Sequence, residues 1–290
     1  MLVSVFEFLS VFNILLSITG SLGNALILVA LHKETSLHPP TKRLFRCLAI
    51  TDLCVGVISQ PLFAVLTLPD VTTKMNMEAI YQIGQLNSVS SFVLCSVSVL
   101  TSSAISLDRL LALLSGLRYR QVVTLPRVRA AIICFWLISI SCGLIHLWNM
   151  GIGFTVFFAL VIVSLAHSVF SYVKIYVKLR QHHPQWQVFP GGQPNGRKVS
   201  LRIARYRKSV SNVLWVQSAL VTCYIPFVIV VMLMTYGRMS NGNLEVGFHI
   251  TATLTYLNSS LNPILYCWRI RAVRQAAKDT IKQLCCCQSD

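Results

Sequence analysis

The chain has 290 residues, of which 54% are hydrophobic and only 12% are charged, and its mean hydropathy is +0.65. This composition is too apolar for a soluble domain of this length, so it indicates a membrane protein with several spans. The net charge of +16 could suit a nucleic acid, but the basic residues lie in short segments between apolar runs. Their distribution favours membrane lipid as a partner and argues against nucleic-acid binding.

Seven apolar runs are long enough to cross a bilayer, and they predict an all-α membrane protein built as a seven-transmembrane helix bundle. They are residues 6–31, 44–68, 80–107, 128–148, 154–177, 210–236 and 246–268. With the amino terminus outside, only Lys74 and Arg238 of the 25 Lys and Arg residues fall on the outer side. The positive-inside rule therefore predicts a multi-pass plasma-membrane protein whose amino terminus is extracellular.

The bundle is predicted to occupy residues 1–268, and a cytoplasmic tail residues 269–290. The first part of the tail has the pattern of a short basic amphipathic helix, an eighth helix lying on the inner leaflet. None of the ten cysteines lies in a predicted outer loop, so we expect no disulfide on the extracellular face. Palmitoylation, with unmodified thiols as the alternative, is expected at the three cysteines behind the eighth helix, Cys285, Cys286 and Cys287.

Polar side chains interrupt the first three apolar runs. Asn24, in the first run, is predicted to bond a neighbouring helix because lipid offers no partner. Asp52, in the second, is a functional-site hypothesis, with a protonated carboxyl group buried in the core as the alternative. Further along that run, Pro61 is expected to kink the helix near its outer face. The third run is rich in serine and has no charge before Asp108 and Arg109, which places it in the centre of the bundle.

The later runs contain prolines and amides that an apolar helix tolerates only with compensation. Pro226, in the sixth run, removes a backbone hydrogen bond and predicts a pivot. The seventh run contains Asn258 and, one turn later, Asn262 followed by Pro263. Only a few residues separate the fourth and fifth runs, so the outer connection between them is predicted to be minimal.

Together these residues resemble the rhodopsin-like (class A) G protein-coupled receptors, and the resemblance covers the whole chain. The similar motifs are Gly23-Asn24, Leu48-Ala49 with Asp52, Asp108-Arg109, Trp136, Cys223 with Pro226, and Asn262-Pro263-Ile264-Leu265-Tyr266. Within the family, Leu117-Arg118-Tyr119 and residues 266–271 are most similar to the branch that holds adenosine and melanocortin receptors. The resemblance implies a receptor without enzymatic activity that binds an extracellular ligand. It also implies activation of a heterotrimeric G protein through outward movement of the sixth helix.

The resemblance also implies an activation machinery and one ion site. Activation and G protein coupling would rest on Asp108, Arg109, Tyr172, Pro226, Asn262, Pro263 and Tyr266. An allosteric sodium ion, the one cofactor expected, would be held by Asp52, Ser98, Asn258, Ser259 and Asn262. Carboxylate, hydroxyl and amide oxygens suit a small hard cation, and a polar cluster filled with water is the alternative.

A ligand pocket is predicted in the outer third of the bundle. Its residues would be Ser91, Phe92, Cys95, Val156, Leu160, Tyr224, Phe227, Val231, Phe248, Ala252 and Tyr256, with plain core packing as the alternative for each. Apolar and aromatic walls with a few hydroxyls predict a small, neutral or lipophilic ligand. Ser91 stands where amine receptors carry an aspartate and Tyr256 where opsins carry the retinal lysine, which argues against both ligand classes.

The chain departs from the family pattern at four positions. Gly84 replaces the disulfide cysteine of the third helix, Leu110 the tyrosine after the Asp-Arg pair, and Tyr224 the tryptophan of the sixth helix. Tyr206 stands where many members have an acid on the sixth helix. Because the changes at Gly84 and Tyr206 remove restraints on the resting state, we expect signalling without ligand.

A membrane transporter or channel is the alternative reading of the spans. Transporters often consist of repeats with broken helices, and no internal repeat is visible in this sequence. An enzyme is not favoured, because His146 and His167 stand apart from any nucleophile, base or metal ligand that could work with them.

Overall fold

The computed structural model describes residues 2–33, 37–181, 218–237, 242–269, 274–275 and 279, and these form helices and short connections without a strand. The seven long helices, α1 to α7, are Leu2–Lys33, Pro39–Thr67, Met77–Leu114, Leu125–Trp148, Met150–Gln181, Ser218–Tyr236 and Gly242–Arg269. The all-α prediction is confirmed for this part of the chain. We call the end of the bundle where α3 begins the Met77 end, and the end where α3 finishes the Arg109 end.

Six of the described helices, α1 to α6, are long and apolar enough to cross a membrane. The seventh, α7, has 28 residues, which is sufficient length at about 1.5 Å per residue. It is less apolar because Glu245, His249 and a series of hydroxyl and amide side chains interrupt it. Those polar groups point to a helix that is largely surrounded by protein.

The helices extend beyond the apolar runs that predict them. The amide group of Asn76 begins α3, where the Ala79 N–H donates to its Oδ1 at 2.8 Å. At its other end α3 continues to Leu114, so Asp108 and Arg109 lie inside the helix. Between α4 and α5 only Asn149 remains as a connection. It accepts the Ile152 N–H at 3.0 Å, so α5 begins four residues earlier than the predicted start at 154.

Helix α2 contains one π turn, Val55–Ser59, which ends two residues before Pro61. A proline ring clashes with the carbonyl group of the preceding turn and donates no hydrogen bond, and a widened turn relieves both problems. The irregularity thus lies on the inner side of Pro61, deeper in the bundle than the expected kink.

Helix α1 packs closely against α2 and α7 through small side chains. Ser17 Oγ donates to the Gly56 carbonyl at 2.6 Å, and Asn24 Nδ2 donates to the Ser259 carbonyl at 3.0 Å. The prediction that Asn24 bonds a neighbouring helix is therefore confirmed. At Gly20 a Cβ would lie 2.8 Å from Ser260 Oγ, so a larger residue would displace the Ser260 hydroxyl group.

Helix α3 lies in the centre, in contact with α2, α4 and α5, as its serine content predicts. An apolar cluster of α1, α2 and α3 fills the Arg109 half around Ile27, Leu48 and Ile105. Two further clusters fill the Met77 half, and they include nine of the eleven residues of the predicted ligand pocket.

Candidate functional site

Most of the predicted ligand residues fall into two adjoining apolar clusters near the Met77 end. The first contains Phe92, Cys95, Tyr224 and Val231, with Val156 packed against it. The second contains Ala252 and Tyr256. Phe227 and Phe248 pack against both clusters and therefore connect them. Among the described residues these two clusters form one continuous apolar region between α3, α5, α6 and α7.

The residues of α5 that pack in the core differ in part from the predicted ligand residues. Leu160 is only partly buried and belongs to neither cluster of described residues. The face in the core carries Phe157, Phe158 and Val161, all at most 3% exposed, with Phe154 packed against them. Their spacing of three and four residues is the helical signal that identifies the inward face.

A pair of hydroxyl groups supplies the polar part of this region. Ser91 Oγ and Tyr256 Oη form a hydrogen bond of 2.8 Å. Tyr256 Oη also approaches Asn87 Oδ1 at 3.4 Å, and Asn87 is a lining residue that sequence reasoning missed. None of these side chains is charged, so the region suits a neutral molecule.

His146 closes the α4 side of the same region. Its ring stacks on Phe92 at 4.1 Å and meets Phe154 edge-on at 5.2 Å. The other isolated histidine, His167, bonds Ser103 Oγ through Nδ1 at 2.8 Å. Both histidines thus have packing partners, and no group of three His, Cys, Asp or Glu that could hold a metal occurs in the described ranges.

The predicted ion site is a buried polar pocket around Asp52. Asn262 Nδ2 donates to Asp52 Oδ2 at 2.7 Å, and Ser98 Oγ approaches Oδ1 at 3.4 Å. Ser259 faces the same carboxyl group. Asn258 lies one turn before Asn262 and is 1% exposed. Neither its Nδ2 nor its Oδ1 has a partner among the described residues.

The donor set fits a sodium ion in chemistry. Carboxylate, hydroxyl and amide oxygens are the ligands that small hard cations take, and the unsatisfied amide of Asn258 offers one more oxygen for a polar partner. A buried water would satisfy the same amide.

At the Arg109 end, four side chains form one hydrogen-bonded network. Asp108 makes an ion pair with Arg109 and accepts a hydrogen bond from Thr41 Oγ1 at 3.0 Å and one from Tyr119 Oη at 2.6 Å. Arg109 Nη2 also donates to Thr41 Oγ1 at 3.0 Å. We call this set the Asp108 network. Sequence reasoning assigned the Asp108 and Arg109 pair but missed the contributions of Thr41 and Tyr119.

Tyr119 belongs to the short helix Tyr119–Val122 that follows α3. Burial, together with the hydrogen bond to Asp108, raises the pKa of the Tyr119 hydroxyl group to about 12. The phenol consequently stays protonated at neutral pH and remains a donor. The His38 ring lies 5.1 Å from the Tyr119 ring and packs it from the α2 side.

The remaining activation residues are distributed along α5, α6 and α7. Tyr172 is buried, and its Oη bonds Ser106 Oγ at 3.0 Å, so it faces α3 instead of the membrane interface. Pro226 lies within α6, and Pro263 within α7, against Gly23. The Tyr266 side chain, Tyr206, most of the predicted eighth helix and the three cysteines of the tail lie outside the described residues.

The six cysteines that the structure describes are all free. At Gly84, near the start of α3, an added Cβ would meet nothing within 4 Å. Gly84, which stands where the family pattern has a disulfide cysteine, is therefore not packed against other described residues.

Comparison with known proteins places this architecture in a family. Residues 23–152 and 144–266 match the model of the 7 transmembrane receptor (rhodopsin family). The chain is also 25% identical over 280 residues to melanocortin receptor 4 of Danio rerio, an alignment that covers 94% of this chain and 82% of that receptor. The similarity to the melanocortin branch is confirmed. The family consists of receptors and not of enzymes, and it does not favour a transporter or channel. The chain belongs to the rhodopsin family of seven-transmembrane receptors.

Proposed function

We propose that this receptor crosses the plasma membrane seven times with an extracellular amino terminus, binds a small neutral or lipophilic ligand from outside, and activates a heterotrimeric G protein. The observation that carries the proposal lies on α3. One helix presents Ser91 and Phe92 to the apolar region near the Met77 end and Arg109 to the opposite end. A ligand that shifts α3 or its neighbours therefore acts on the Asp108 network directly.

The ligand region supports a neutral ligand. Its walls are aromatic and aliphatic, and the Ser91–Tyr256 hydrogen bond offers a donor and an acceptor without a charge. A cationic amine would be buried there without a carboxylate, which is costly. A screen in which only cationic amines activate the receptor contradicts this part of the proposal.

The Asp108 network represents the resting arrangement. While Asp108 and Thr41 hold Arg109, the guanidinium group is not available to a partner. On activation Arg109 leaves Asp108, α6 moves outward about Pro226, and Tyr172 and Tyr266 turn toward the opened space. The G protein then docks on the Arg109 end, where basic residues are concentrated.

Sodium stabilises the resting state in this proposal. Asp52 with Ser98, Ser259 and Asn262 would hold the ion, and Asn258 would supply a further oxygen or a bridging water. A bound cation neutralises a carboxylate in the middle of the membrane, where an unpaired charge is expensive. Release of the ion is then linked to rearrangement of α7 around Pro263.

A cell assay with a panel of G protein subtypes tests the proposal. The receptor is expressed at measured surface density, and dissociation of each heterotrimer is recorded before and after addition of a library of neutral lipophilic compounds and one of cationic amines. We expect basal activation of at least one heterotrimer, and stimulation by neutral compounds. Signals equal to those of empty cells in every arm overturn the proposal.

A further inference from the structure

His38 is a titratable side chain beside the Asp108 network that the proposed signalling mechanism does not use. It directly precedes α2, on the side that faces the cytoplasm in the proposed orientation. The residue is partly buried, and its Nδ1 atom is buried without a hydrogen-bond partner among the described residues. An unpaired N–H of a charged ring would cost more there than the unpaired lone pair of a neutral ring. These surroundings therefore favour the neutral form of His38.

The backbone holds the imidazole ring in place. The Lys42 N–H donates to the His38 carbonyl at 3.0 Å, which starts the first turn of α2. Pro39 and Pro40 follow His38, and their rings restrict the backbone at the start of the helix. His38 occupies the N-cap position, but its side chain makes no capping hydrogen bond. The ring packs instead against the short helix Tyr119–Val122.

His38 and Thr41, which are one helical turn apart, both contact Tyr119. The His38 ring lies 5.1 Å from the Tyr119 ring at an interplanar angle of 48°. Thr41 Oγ1 lies 3.1 Å from Tyr119 Oη, the atom that donates to Asp108 Oδ1. One contact thus holds the ring of Tyr119 and the other its hydroxyl group. A displacement of the His38 ring consequently moves the Tyr119 hydroxyl group relative to Asp108.

Charged groups face His38 from two neighbouring elements. Asp108 and Arg109 lie on α3, and Arg120 lies on the short helix. Burial is the largest influence and lowers the pKa of His38, Asp108 raises it, and the two arginines lower it further. The pKa of His38 therefore lies below its ordinary value of 6.5. The ring is neutral at neutral pH and becomes charged on acidification.

Protonation of His38 acts against the resting arrangement. An imidazolium ring attracts Asp108 and repels Arg109, and both effects weaken the ion pair between these two residues. Because the resting arrangement holds the pKa of His38 below its ordinary value, the contribution of the neutral ring is present at neutral pH. That contribution is lost as the pH falls through the lowered pKa. Acid therefore favours the arrangement in which Arg109 has left Asp108.

We propose that His38 is a positioning residue of the Asp108 network and makes the receptor sensitive to cytoplasmic pH. As a neutral ring it keeps the Tyr119 hydroxyl group on Asp108, and as an imidazolium it releases Arg109 to the G protein. Acidification of the cytoplasm thus raises signalling without a change in the ligand region. This role of His38 rests on the proposed coupling to a G protein, so a second test without a G protein is required.

The first test is nucleotide exchange by the receptor in lipid vesicles with a heterotrimer and without ligand. Exchange is measured at about pH 7.5 and about pH 6, on either side of the ordinary imidazole pKa. His38→Phe keeps a ring beside Tyr119 and cannot take up a proton. We expect the ratio of wild-type to His38→Phe exchange to rise at least about twofold in acid, and this ratio removes the pH dependence of the G protein itself.

His32→Phe is the matched control, because His32 is an exposed histidine at the same end of the bundle, in the last turn of α1. It should respond to acid as the wild type does. A ratio of wild-type to His38→Phe exchange that is the same at both pH values overturns the proposal, and so does loss of the acid response in His32→Phe. If His38→Phe does not fold, His38→Asn takes its place in both tests.

The second test follows the His38 ring in the purified full chain in detergent. Nuclear magnetic resonance records the titration of the seven imidazole rings, and the signal that is missing in His38→Phe belongs to His38. We expect its midpoint below the ordinary imidazole value, and a higher midpoint in Arg109→Ala, because a repelling cation is removed and Asp108 is left unpaired. An unchanged midpoint in Arg109→Ala means that His38 only packs, and it overturns the proposal. Absence of exchange at both pH values is a failure of the proposed coupling, and the titration midpoints then decide whether His38 senses the ion pair.

Discussion

The substitution Tyr119→Phe removes the hydroxyl group that belongs to the Asp108 network and keeps the ring that packs beside His38. The hydrogen bond from Tyr119 Oη to Asp108 Oδ1 is 2.6 Å long. The pKa of the Tyr119 hydroxyl group, raised to about 12, keeps this group a donor at neutral pH. Hydrogen bonds to charged groups contribute about 1.5–3 kcal/mol. Tyr119 is only partly buried, so we take the lower figure, about 1.5 kcal/mol. The ring and its contact with His38 are retained, so the fold is unaffected.

This loss acts on the resting state alone if Arg109 leaves Asp108 on activation. A change of about 1.4 kcal/mol corresponds to a tenfold change in an equilibrium constant. Basal activity of Tyr119→Phe should therefore rise by about tenfold while the active state remains a minority. The assay is basal dissociation of the G protein heterotrimer at matched surface density. Tyr81→Phe is the control, because Tyr81 is 65% exposed at the other end of α3. Basal activity equal to or below that of the wild type refutes the assignment of the network to the resting state.

Three further perturbations test other parts of the account. Asp52→Asn should abolish the inhibition of basal activity by sodium relative to potassium, and an unchanged sodium effect in that variant contradicts the ion site. Gly56→Ala should lower the free energy of unfolding in detergent by about 1–3 kcal/mol, because the new Cβ would lie 2.6 Å from Ser21 Oγ. Gly242→Ala, where a Cβ meets nothing within 4 Å, is the control, and equal melting temperatures of the two variants would show that α1 and α2 are not tightly packed. Dithiothreitol applied to intact cells should leave signalling unchanged, since the six described cysteines are free, whereas a loss of signal reveals a functional disulfide.

The positions of the helices follow from the sequence because a chain in a membrane must satisfy its backbone hydrogen bonds internally. Long apolar runs consequently become helices. The ends of these helices are harder to predict, because a helix can continue through charged residues when neighbouring side chains pair with them. Asp108 and Arg109 pair with each other and with Thr41, so α3 continues past them to Leu114.

The orientation of an apolar helix about its axis is harder to read. Lipid and protein core are both apolar, so the outward face of α5 carries no hydrophobic pattern that distinguishes it from the inward face. Prediction from motif position chose Val156 and Leu160, whereas Phe157, Phe158 and Val161 are the residues in the core. The local signal was the spacing of three and four shared by the phenylalanine rings and by the buried Ser164, Ser168 and Ser171.

Contacts between distant segments could not be predicted from local pattern. Tyr119 and Thr41 meet at Asp108 although they lie 78 residues apart in the chain, and no periodicity indicates this. His38 gives no signal of its own either, since a histidine before two prolines is equally compatible with an exposed connection. Only the fold reveals that its ring packs on Tyr119 beside Asp108.

Guanine nucleotide exchange on purified heterotrimers tests the central claim most directly. The receptor is reconstituted in lipid vesicles at a measured density, and exchange is followed for representatives of each G protein class, with empty vesicles as the baseline. We predict exchange above the baseline for at least one heterotrimer without ligand, and its loss in Arg109→Ala at equal receptor density. Exchange indistinguishable from that of empty vesicles for every heterotrimer, or exchange that Arg109→Ala leaves unchanged, contradicts the account.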